Sequence, residues 1–471
     1  MGVLKISYGD GTLLLEGADA HQALLGSLIA PDPRVGCHRA KALHYAEILR
    51  RLHAAKLPYE DQARRYEVLS LNERQPRPLR PYQSQALEAW LAARKRGVIV
   101  LPTGAGKSYV ALRAILACAR TTLILAPTID LVQQWVADLE SRLMIPIGQY
   151  GGGEKRLATI TVATYDSAAM FMPFYGDRFG FLICDECHHL PAPVHALAAE
   201  CAMAPFRLGL TATPERLDQG HDRLAELLGA EIHRSHIHEL EGSFLSNYQV
   251  EVIEVSLDSD EQESYQKNRR EYLAFARKSG VDFGAPSGWM SFIAAASRDP
   301  AGRQAMRAYR EQRRLARSSR AKLRALWGVL CEHPGERSII FTDDNETAYT
   351  IGRSLVLPVL THHTRPAERS AMLADFRSGL VPVLVTSRIL NEGIDVPEAA
   401  VGVVVSGSGS VREHVQRLGR LLRPAAGKMA MLYEMVSAGT AEAYTSERRQ
   451  RHAAFGHEEL SWEEKGGTDA D

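Results

Sequence analysis

The sequence lacks the features of membrane and secreted proteins. None of its apolar runs approaches the roughly 18 uninterrupted residues that a membrane-spanning helix needs, and its N-terminus lacks the basic, apolar and small-residue order of a signal peptide. The six cysteines are scattered singly, apart from Cys184 and Cys187, as is typical of reduced intracellular proteins. We therefore expect a cytoplasmic protein with no disulfide and no membrane partner.

An excess of charge of one sign is also missing, because lysine plus arginine and aspartate plus glutamate number 56 each. The charges are nevertheless segregated. Nine basic residues and one acidic residue, Glu311, lie between Arg303 and Arg324, whereas the segment from Glu458 to Asp471 is mostly acidic. The basic run is either a solvated helix face or a contact surface for nucleic acid, and both alternatives stay open.

With 471 residues the chain is too long for one ordinary core. Residues 1–74 predict a small mixed α/β domain, in which VLKISYG and GTLLLEG form strands and Ala40 to Ala55 form a helix. The proline-rich segment from Gln75 to Pro81 cannot propagate a helix, so we interpret it as a linker.

Short β-branched runs then alternate with helical stretches, which is typical of parallel sheets with crossover helices. They predict an α/β lobe at 79–235 and a second one at 236–450, followed by an acidic tail at 451–471. Residues 262–320 are charged and helical and contain no buried-strand run, so we expect a helical insertion in the second lobe.

A phosphate-binding loop is predicted between a buried strand and the helix that begins near Tyr109. Gly104 and Gly106 would let backbone N–H groups approach the phosphates of ATP, while Lys107 reaches the β and γ phosphates and Ser108 binds Mg²⁺. The general pattern has glycine where Leu101 stands. The expected nucleotide contacts in this loop are Thr103, Gly104, Ala105, Gly106, Lys107 and Ser108.

Two adjacent carboxylates, Asp185 and Glu186, follow the apolar strand Phe181 to Cys184. Asp185 would hold Mg²⁺ and Glu186 would orient the attacking water. The alternative is a CxxC metal or redox pair of Cys184 and Cys187, which we disfavour because side chains three apart on a strand point to opposite faces.

Further motifs follow in the order of ATP-driven motors. Thr211 and Thr213, after another apolar strand, would link the ATP site to a nucleic-acid site, together with His188 and Gln416.

Arg420 and Arg423, three apart on a predicted helix, are candidates for an arginine that stabilises phosphoryl transfer. Their alternative is a basic surface helix, which we disfavour because Asn391 to Pro397, with Asp395 as a nucleotide contact, matches a helicase motif as well.

Other residues carry weaker signals. The amide of Gln83 would contact the adenine edge, and Thr128 and Thr164, at strand ends, would contact a sugar-phosphate backbone. The cluster of His233, His236 and His238 would bind metal in one interpretation, but we favour surface histidines because cysteine or carboxylate at ligand spacing is missing nearby.

With these motifs assembled, the sequence resembles the xeroderma pigmentosum group B (XPB) helicases of superfamily 2, especially their prokaryotic forms. The resemblance is strongest from Asn391 to Arg423, and the box from Asp185 to His189 resembles the family's DEVHH box. It implies two RecA-like parallel-sheet lobes, a damage-recognition-like domain at 1–74 and a thumb-like insertion at 262–320.

The same resemblance implies an ATP-dependent enzyme that translocates on or opens double-stranded or forked DNA with 3′-to-5′ polarity in nucleotide excision repair, in some members beside a nuclease partner. It implies phosphate contacts by the thumb-like arginines Arg313, Arg314, Arg317 and Arg320, of which 313, 317 and 320 share a face if one helix carries them. The oligomeric state is left open.

The family's Arg-Glu-Asp element is Arg216-Leu217-Asp218 here. Arg216 and Asp218 remain candidate DNA contacts, and Leu217 would act only as an apolar wedge. Since motifs that read the backbone do not recognise the 2′-hydroxyl, an RNA-remodelling ATPase is an alternative, as is an ATP-gated scaffold that does not unwind.

Overall fold

A computed structural model describes residues 3–212, 221–236, 239, 247–285, 287–298, 300–387, 399–406, 429–440 and 442. The described residues divide into two compact units, one ending at Glu239 and one from Asn247 onward. Within these ranges no helix is long and apolar enough to cross a membrane.

The first unit begins with a small mixed domain. Its five-stranded sheet has the order β3-β4-β2-β1-β5, and α2 covers an apolar core that includes Leu4, Ile6 and Ile48. The Asp10-Gly11 turn between β1 and β2 has positive φ at both residues, as a tight hairpin requires. The elements are β1 (Leu4–Gly9), β2 (Thr12–Glu16), α1 (Gln22–Leu25), β3 (Ala30–Asp32), β4 (Cys37–Lys41), α2 (Tyr45–Ala54) and β5 (Tyr59–Asp61).

The first lobe follows, with an eight-stranded sheet in the order β13-β6-β12-β11-β7-β10-β8-β9. All its pairs are parallel except β8 with β9. The central strands are buried on both faces because helices cover them. The strands are β6 (Arg96–Val100), β7 (Thr122–Ala126), β8 (Gly148–Gly151), β9 (Glu154–Arg156), β10 (Ile160–Thr164), β11 (Phe181–Asp185), β12 (Phe206–Thr211) and β13 (Glu231–Arg234).

The helices of this lobe connect successive strands, so that the loops after β6, β11 and β12 meet at one edge of the sheet. They are α3 (Pro81–Ala92), α4 (Lys107–Cys118), α5 (Ile129–Leu143), α6 (Tyr165–Tyr175), α7 (Pro193–Glu200) and α8 (His221–Leu227).

The small domain packs directly on the first lobe. The Tyr8 hydroxyl lies 2.8 Å from the Met172 carbonyl and 2.9 Å from the Cys201 carbonyl, and Met203 of the lobe belongs to the small domain's core. A Cβ on Gly11 would lie 2.7 Å from Cys201 Sγ, so the hairpin turn is pressed against the lobe.

In the second unit, a six-stranded, wholly parallel sheet has the order β14-β19-β18-β15-β17-β16 among the described residues. Its strands are β14 (Asn247–Val255), β15 (Ser338–Phe341), β16 (Val359–Leu360), β17 (Val383–Thr386), β18 (Val401–Val404) and β19 (Met429–Ser437). The adjoining helices are α12 (Arg320–Glu332), α13 (Asn345–Leu355) and α14 (Pro366–Ser378).

Three helices form the insertion between β14 and α12: α9 (Ser259–Lys278), α10 (Gly288–Ala296) and α11 (Pro300–Arg317). They enclose a separate small aromatic core around Phe292 and Ala305. Every strand that the β-branched runs predict in the two lobes is present, and the mixed α/β class is confirmed. The helix predicted from Ala40 is wrong in its start, because residues 37–41 pair with β2 and β3 and α2 begins at Tyr45.

Candidate active site

The loop from Leu101 to Gly106 joins β6 to α4, with Lys107 as the first residue of the helix. Gly104 and Gly106 have φ of 84° and 80°, which favours glycine, and a Cβ on Gly106 would lie 2.6 Å from Gln83 Nε2. The Thr103 hydroxyl is buried and has no hydrogen-bond partner among the described residues. These features fit a loop whose polar groups bind a phosphate at the N-terminus of a helix.

Two side chains of α3 fix the back of this loop. The Ala105 carbonyl accepts hydrogen bonds from the Tyr82 hydroxyl and from Gln83 Nε2, both at 2.8 Å. Gln83 Oε1 accepts from the Arg80 N–H at 3.0 Å, so both ends of the amide are in use. The adenine contact of Gln83 stays a prediction, and the structure adds that Gln83 supports the loop from Leu101 to Gly106.

The two carboxylates lie beside this loop at the end of β11. Lys107 Nζ is 3.7 Å from Glu186 Oε1 and 3.4 Å from the Leu101 carbonyl oxygen. Glu186 has φ +46°, a left-handed conformation that is uncommon for glutamate and is often found at functional sites. Its Oε2 is buried without a hydrogen bond to any described residue, and it is thus available to a water molecule.

Asp185 is almost fully buried and is held from two sides. Its Oδ2 accepts from Trp135 Nε1 at 2.8 Å and its Oδ1 accepts from the Glu186 N–H at 3.0 Å. Burial and then the charge of Glu186 raise the pKa of Asp185 to about 6, which Lys107 and Trp135 oppose. A divalent cation at this carboxylate would stabilise its ionised form, and the Mg²⁺ site of Ser108 and Asp185 stays a prediction.

A short polar chain leads from the carboxylates to the next strand. His188 Nδ1 lies 3.6 Å from Glu186 Oε2 and 3.1 Å from the Thr211 hydroxyl, and His188 and Thr211 are fully buried. The predicted coupling residues His188 and Thr211 are therefore in contact with each other and beside Glu186.

The reason given against the CxxC pair was wrong. The strand ends at Asp185, and Cys184 and Cys187 both lie in the same apolar core. Both are free thiols, and burial raises the pKa of Cys184 to about 12 and that of Cys187 well above its usual value. Thiols that stay protonated are poor nucleophiles and metal ligands.

Thr128 and Thr164 are helix N-caps. The Thr128 hydroxyl accepts from the Leu131 N–H at 3.3 Å, and the Thr164 hydroxyl accepts from the Ser167 N–H at 3.2 Å. This capping role explains both threonines structurally, and their contact with a sugar-phosphate backbone stays a prediction. Of the three histidines considered as metal ligands, His233 has its Nε2 3.0 Å from the Ser235 hydroxyl.

The four predicted thumb-like arginines are all paired with carboxylates. Arg313 lies 3.5 Å from Asp343, Arg314 lies 2.7 Å from Glu311, and Arg317 pairs with Asp343 and Asp344. Arg320 contacts Asp258, Asp260 and Glu261. Their phosphate contacts stay a prediction in which DNA must compete with these carboxylates.

The expectation that positions 313, 317 and 320 share one helix face was wrong. The helix ends at Arg317, and Ser319 caps a new helix by accepting a hydrogen bond from the Lys322 N–H. Arg320 is therefore the first residue of α12 and belongs to another helix.

Several predicted residues lie outside the described residues. They are Thr213, Arg216, Leu217, Asp218, His238, Asp395, Gln416, Arg420 and Arg423.

Sequence reasoning missed two buried polar side chains of the first lobe, of which Trp135 contacts the site. Trp135 has no motif around it and reaches Asp185 only through the packing of α5 on the sheet. Arg207 is fully buried and donates four hydrogen bonds to the carbonyls of Ala199, Ala202, Ala204 and Leu227. Arginine in an otherwise apolar strand, FRLGLT, was the one signal available for it.

Three family models match the chain. Residues 6–63 match the xeroderma pigmentosum group B helicase damage recognition domain, residues 77–216 match the type III restriction enzyme res subunit, and residues 307–454 match the ERCC3/RAD25/XPB C-terminal helicase. The helicase domain of Hef from Pyrococcus furiosus has a similar fold, with a TM-score of 0.54 at 19% identity over 78% of this chain and 98% of that one.

Among relatives, the DNA 3′-5′ translocase XPB2 of Sulfurisphaera tokodaii is 40% identical over 79% of this chain and 84% of its own length. The DNA 3′-5′ helicase XPB of Mycobacterium tuberculosis is 30% identical over 80% of this chain, which spans 64% of that relative. Because the identity to the Sulfurisphaera tokodaii relative extends across most of both chains, this chain belongs to the XPB family of helicases.

Proposed function

We propose that this protein is an ATP-dependent DNA translocase and helicase that moves 3′ to 5′ and opens duplex or forked DNA in nucleotide excision repair. The observation that carries the proposal is the continuous set of contacts from Lys107 through Glu186 and His188 to Thr211. The relatives named as DNA 3′-5′ translocase and helicase support the substrate and the polarity.

Each residue of this set has a distinct task in ATP hydrolysis. Lys107, at the start of α4, would exchange its contact with Glu186 for the β and γ phosphates. Backbone N–H groups at the helix N-terminus would bind the same anion. Released from Lys107, Glu186 orients a water molecule in line with the γ phosphate. Mg²⁺ held by Ser108 and Asp185 would neutralise charge on the phosphates.

The link to DNA runs through the histidine. A change in the position of Glu186 would alter its contact with His188, which lies 3.6 Å away and contacts Thr211 on β12. Thr211 precedes Thr213 and the Arg216-Leu217-Asp218 element, so this strand would pass the state of the ATP site to the DNA contacts. Arg420 and Arg423 are the candidates for an arginine that stabilises phosphoryl transfer.

The domain boundaries form part of the proposal. Residues 1–74 are the damage-recognition-like domain, 79–235 the first helicase lobe, 236–450 the second lobe with the thumb-like insertion at 262–320, and 451–471 an acidic tail. The family-model match at 6–63 supports the first of these, and the helical core around Phe292 supports the insertion.

The decisive experiment measures ATP turnover and strand displacement on forked DNA, blunt duplex DNA and RNA duplex of one sequence. We expect duplex and forked DNA to stimulate turnover, with displacement only when a 3′ single-stranded arm is present. Stimulation by RNA alone would favour the RNA-remodelling alternative, and ATP binding without turnover would favour the scaffold. A nuclease encoded nearby is added in a parallel series, because a partner can alter coupling between turnover and displacement.

A further inference from the structure

A cleft of about 360 Å³ opens in the second unit between the insertion helices α10 and α11 and the start of α13. Trp289, Ile293, Met306 and Tyr309 form its apolar wall. The volume lies in the range of sites that receive small planar ligands.

The apolar wall is built around an accessible indole. Trp289 is 39% exposed, although its ring is stacked on buried Phe292 at a centroid distance of 5.5 Å and 27°. Tyr309 lies 4.7 Å from Trp289. Since these neighbours fix the ring while leaving part of it accessible, Trp289 offers a rigid platform on which a flat ligand can stack.

The charged groups around the cleft fall into two sets. Arg313, Arg314 and Arg317 are paired with carboxylates. Arg310 also lines the cleft, but it is exposed and forms no ion pair with any described residue. Arg310 is therefore the cleft's available cation.

Arg310 continues a stripe along α11. Arg303 and Arg307 lie seven and three residues before it, so all three share one helix face, and the stripe is about 10 Å long at 1.5 Å per residue. Arg303 and Arg307 are exposed as well, and neither forms an ion pair within the part of the chain that the structure describes. A row of available guanidinium groups leading to an aromatic cleft matches a ligand with successive phosphates and a flat ring.

We propose that the cleft receives one unstacked base of single-stranded DNA, with Trp289 as the stacking platform and the stripe Arg303, Arg307 and Arg310 contacting the flanking phosphates. This proposal rests on the proposed function. Duplex DNA does not fit, because its bases are already stacked on both faces. Glu346, which also lines the cleft, would repel phosphate but accept a hydrogen bond from the exocyclic amine of cytosine or adenine.

The test compares Trp289→Ala with Trp327→Ala in the full-length chain. Trp327 is a matched control, because it is exposed on α12 of the same unit and does not line the cleft. Affinity is measured by fluorescence anisotropy for a fork with a single-stranded arm, for a blunt duplex, and for the same fork with abasic nucleotides in its arm.

Trp289→Ala should weaken fork binding about tenfold or more, the range for loss of one base–aromatic stack, and should leave duplex binding and duplex-stimulated ATPase unchanged. The abasic fork should bind wild-type protein as weakly as the intact fork binds Trp289→Ala. Trp289→Phe should retain most of the affinity, which excludes misfolding as the cause. Arg310→Gln should flatten the dependence of log K on log salt by about 0.7 for one lost single-strand phosphate contact.

If Trp289→Ala and Trp327→Ala bind the fork with equal affinity, the proposal is overturned and the cleft is left to a protein partner. An equal loss of affinity for fork and for duplex DNA in Trp289→Ala would overturn it too. Full competition by free dAMP would also overturn it, because the cleft would then be a mononucleotide site. The proposed function fails separately, by a lack of DNA-stimulated ATPase in the wild-type protein.

Discussion

Arg317 has two competing assignments, and a change to glutamine separates them. The family resemblance implies that it contacts a phosphate, whereas in the structure it joins α11 to the loop after β15 by pairing with Asp343 and Asp344. The Arg317 side chain is 13% exposed and that of Asp343 only 2%. A group so enclosed is a poor first contact for DNA.

The size of the effect follows from this burial. Removing one partner of a buried ion pair costs about 3–5 kcal/mol, because the other charge is left without compensation. Arg313 stays 3.5 Å from Asp343 and offsets part of the loss, so we expect the lower end, about 3 kcal/mol. This corresponds to roughly a hundredfold increase in the local opening equilibrium of α11.

Amide hydrogen exchange of the α11 peptides measures that opening directly, without requiring two-state unfolding of the whole chain. Arg317→Gln should exchange about a hundredfold faster there. Arg314→Gln is the matched control: its partner Glu311 is 40% exposed, and a surface pair of this kind contributes about 0.5 kcal/mol at most. Wild-type exchange in Arg317→Gln, together with a salt dependence of DNA binding flattened by about 0.9, would refute the structural role and assign Arg317 to a phosphate.

Three further outcomes are expected. Lys107→Ala and Glu186→Gln should both abolish turnover, but nucleotide-binding titration should show retained affinity only in Glu186→Gln, and the reverse pattern would exchange their roles. Arg420→Ala should lower kcat about a thousandfold or more with a smaller change in ATP affinity, and a KM effect alone would contradict its assignment to the transition state. Arg207→Met should lower the free energy of unfolding by roughly 3–5 kcal/mol, because four buried carbonyls lose their donor; an unchanged melting temperature would show that water replaces the guanidinium.

The sequence predicts the lobes well because their strands are buried on both faces and read as continuous apolar runs, such as TLILA in β7. The phosphate loop and the Asp185-Glu186 pair are predictable for a related reason. Parallel strands bring their carboxyl ends to one edge, so residues that follow separate apolar runs meet in space.

The same reasoning fails where partners are distant in sequence or where a helix boundary decides the geometry. Trp135 and Asp185 are 50 residues apart, and nothing local in either segment indicates their hydrogen bond. Helical spacing predicts a shared face for Arg313, Arg317 and Arg320 only if one helix carries them, whereas the capping hydroxyl of Ser319 starts a second helix within the basic run. The composition of the basic run also cannot indicate that Arg317 forms an ion pair with Asp343, which lies outside the run.

The segment interpreted as a linker shows how a correct local inference can give an incomplete picture. Residues 75–80 are indeed not helical, as their prolines require, and Pro81 begins α3. The residues just before this segment are bound along the first lobe, where the Leu69 N–H donates to the Ala119 carbonyl at 2.9 Å. Farther along, Glu73 is 3% exposed and lies 3.0 Å from Arg113 of α4.

This bound segment ends at the helix that carries Lys107. The Tyr109 hydroxyl donates to the Arg77 carbonyl at 2.6 Å, and the Arg77 guanidinium lies 4.2 Å above the Tyr109 ring. Tyr109 is in the first turn of α4, two residues after Lys107. The small domain contacts the first lobe through Tyr8 of β1, and the segment contacts α4 through Tyr109, so the small domain and the loop from Leu101 to Gly106 belong to one packed unit. Hydrogen bonds and a guanidinium–ring contact therefore fix these residues against the lobe that carries the loop, which a flexible tether would not do.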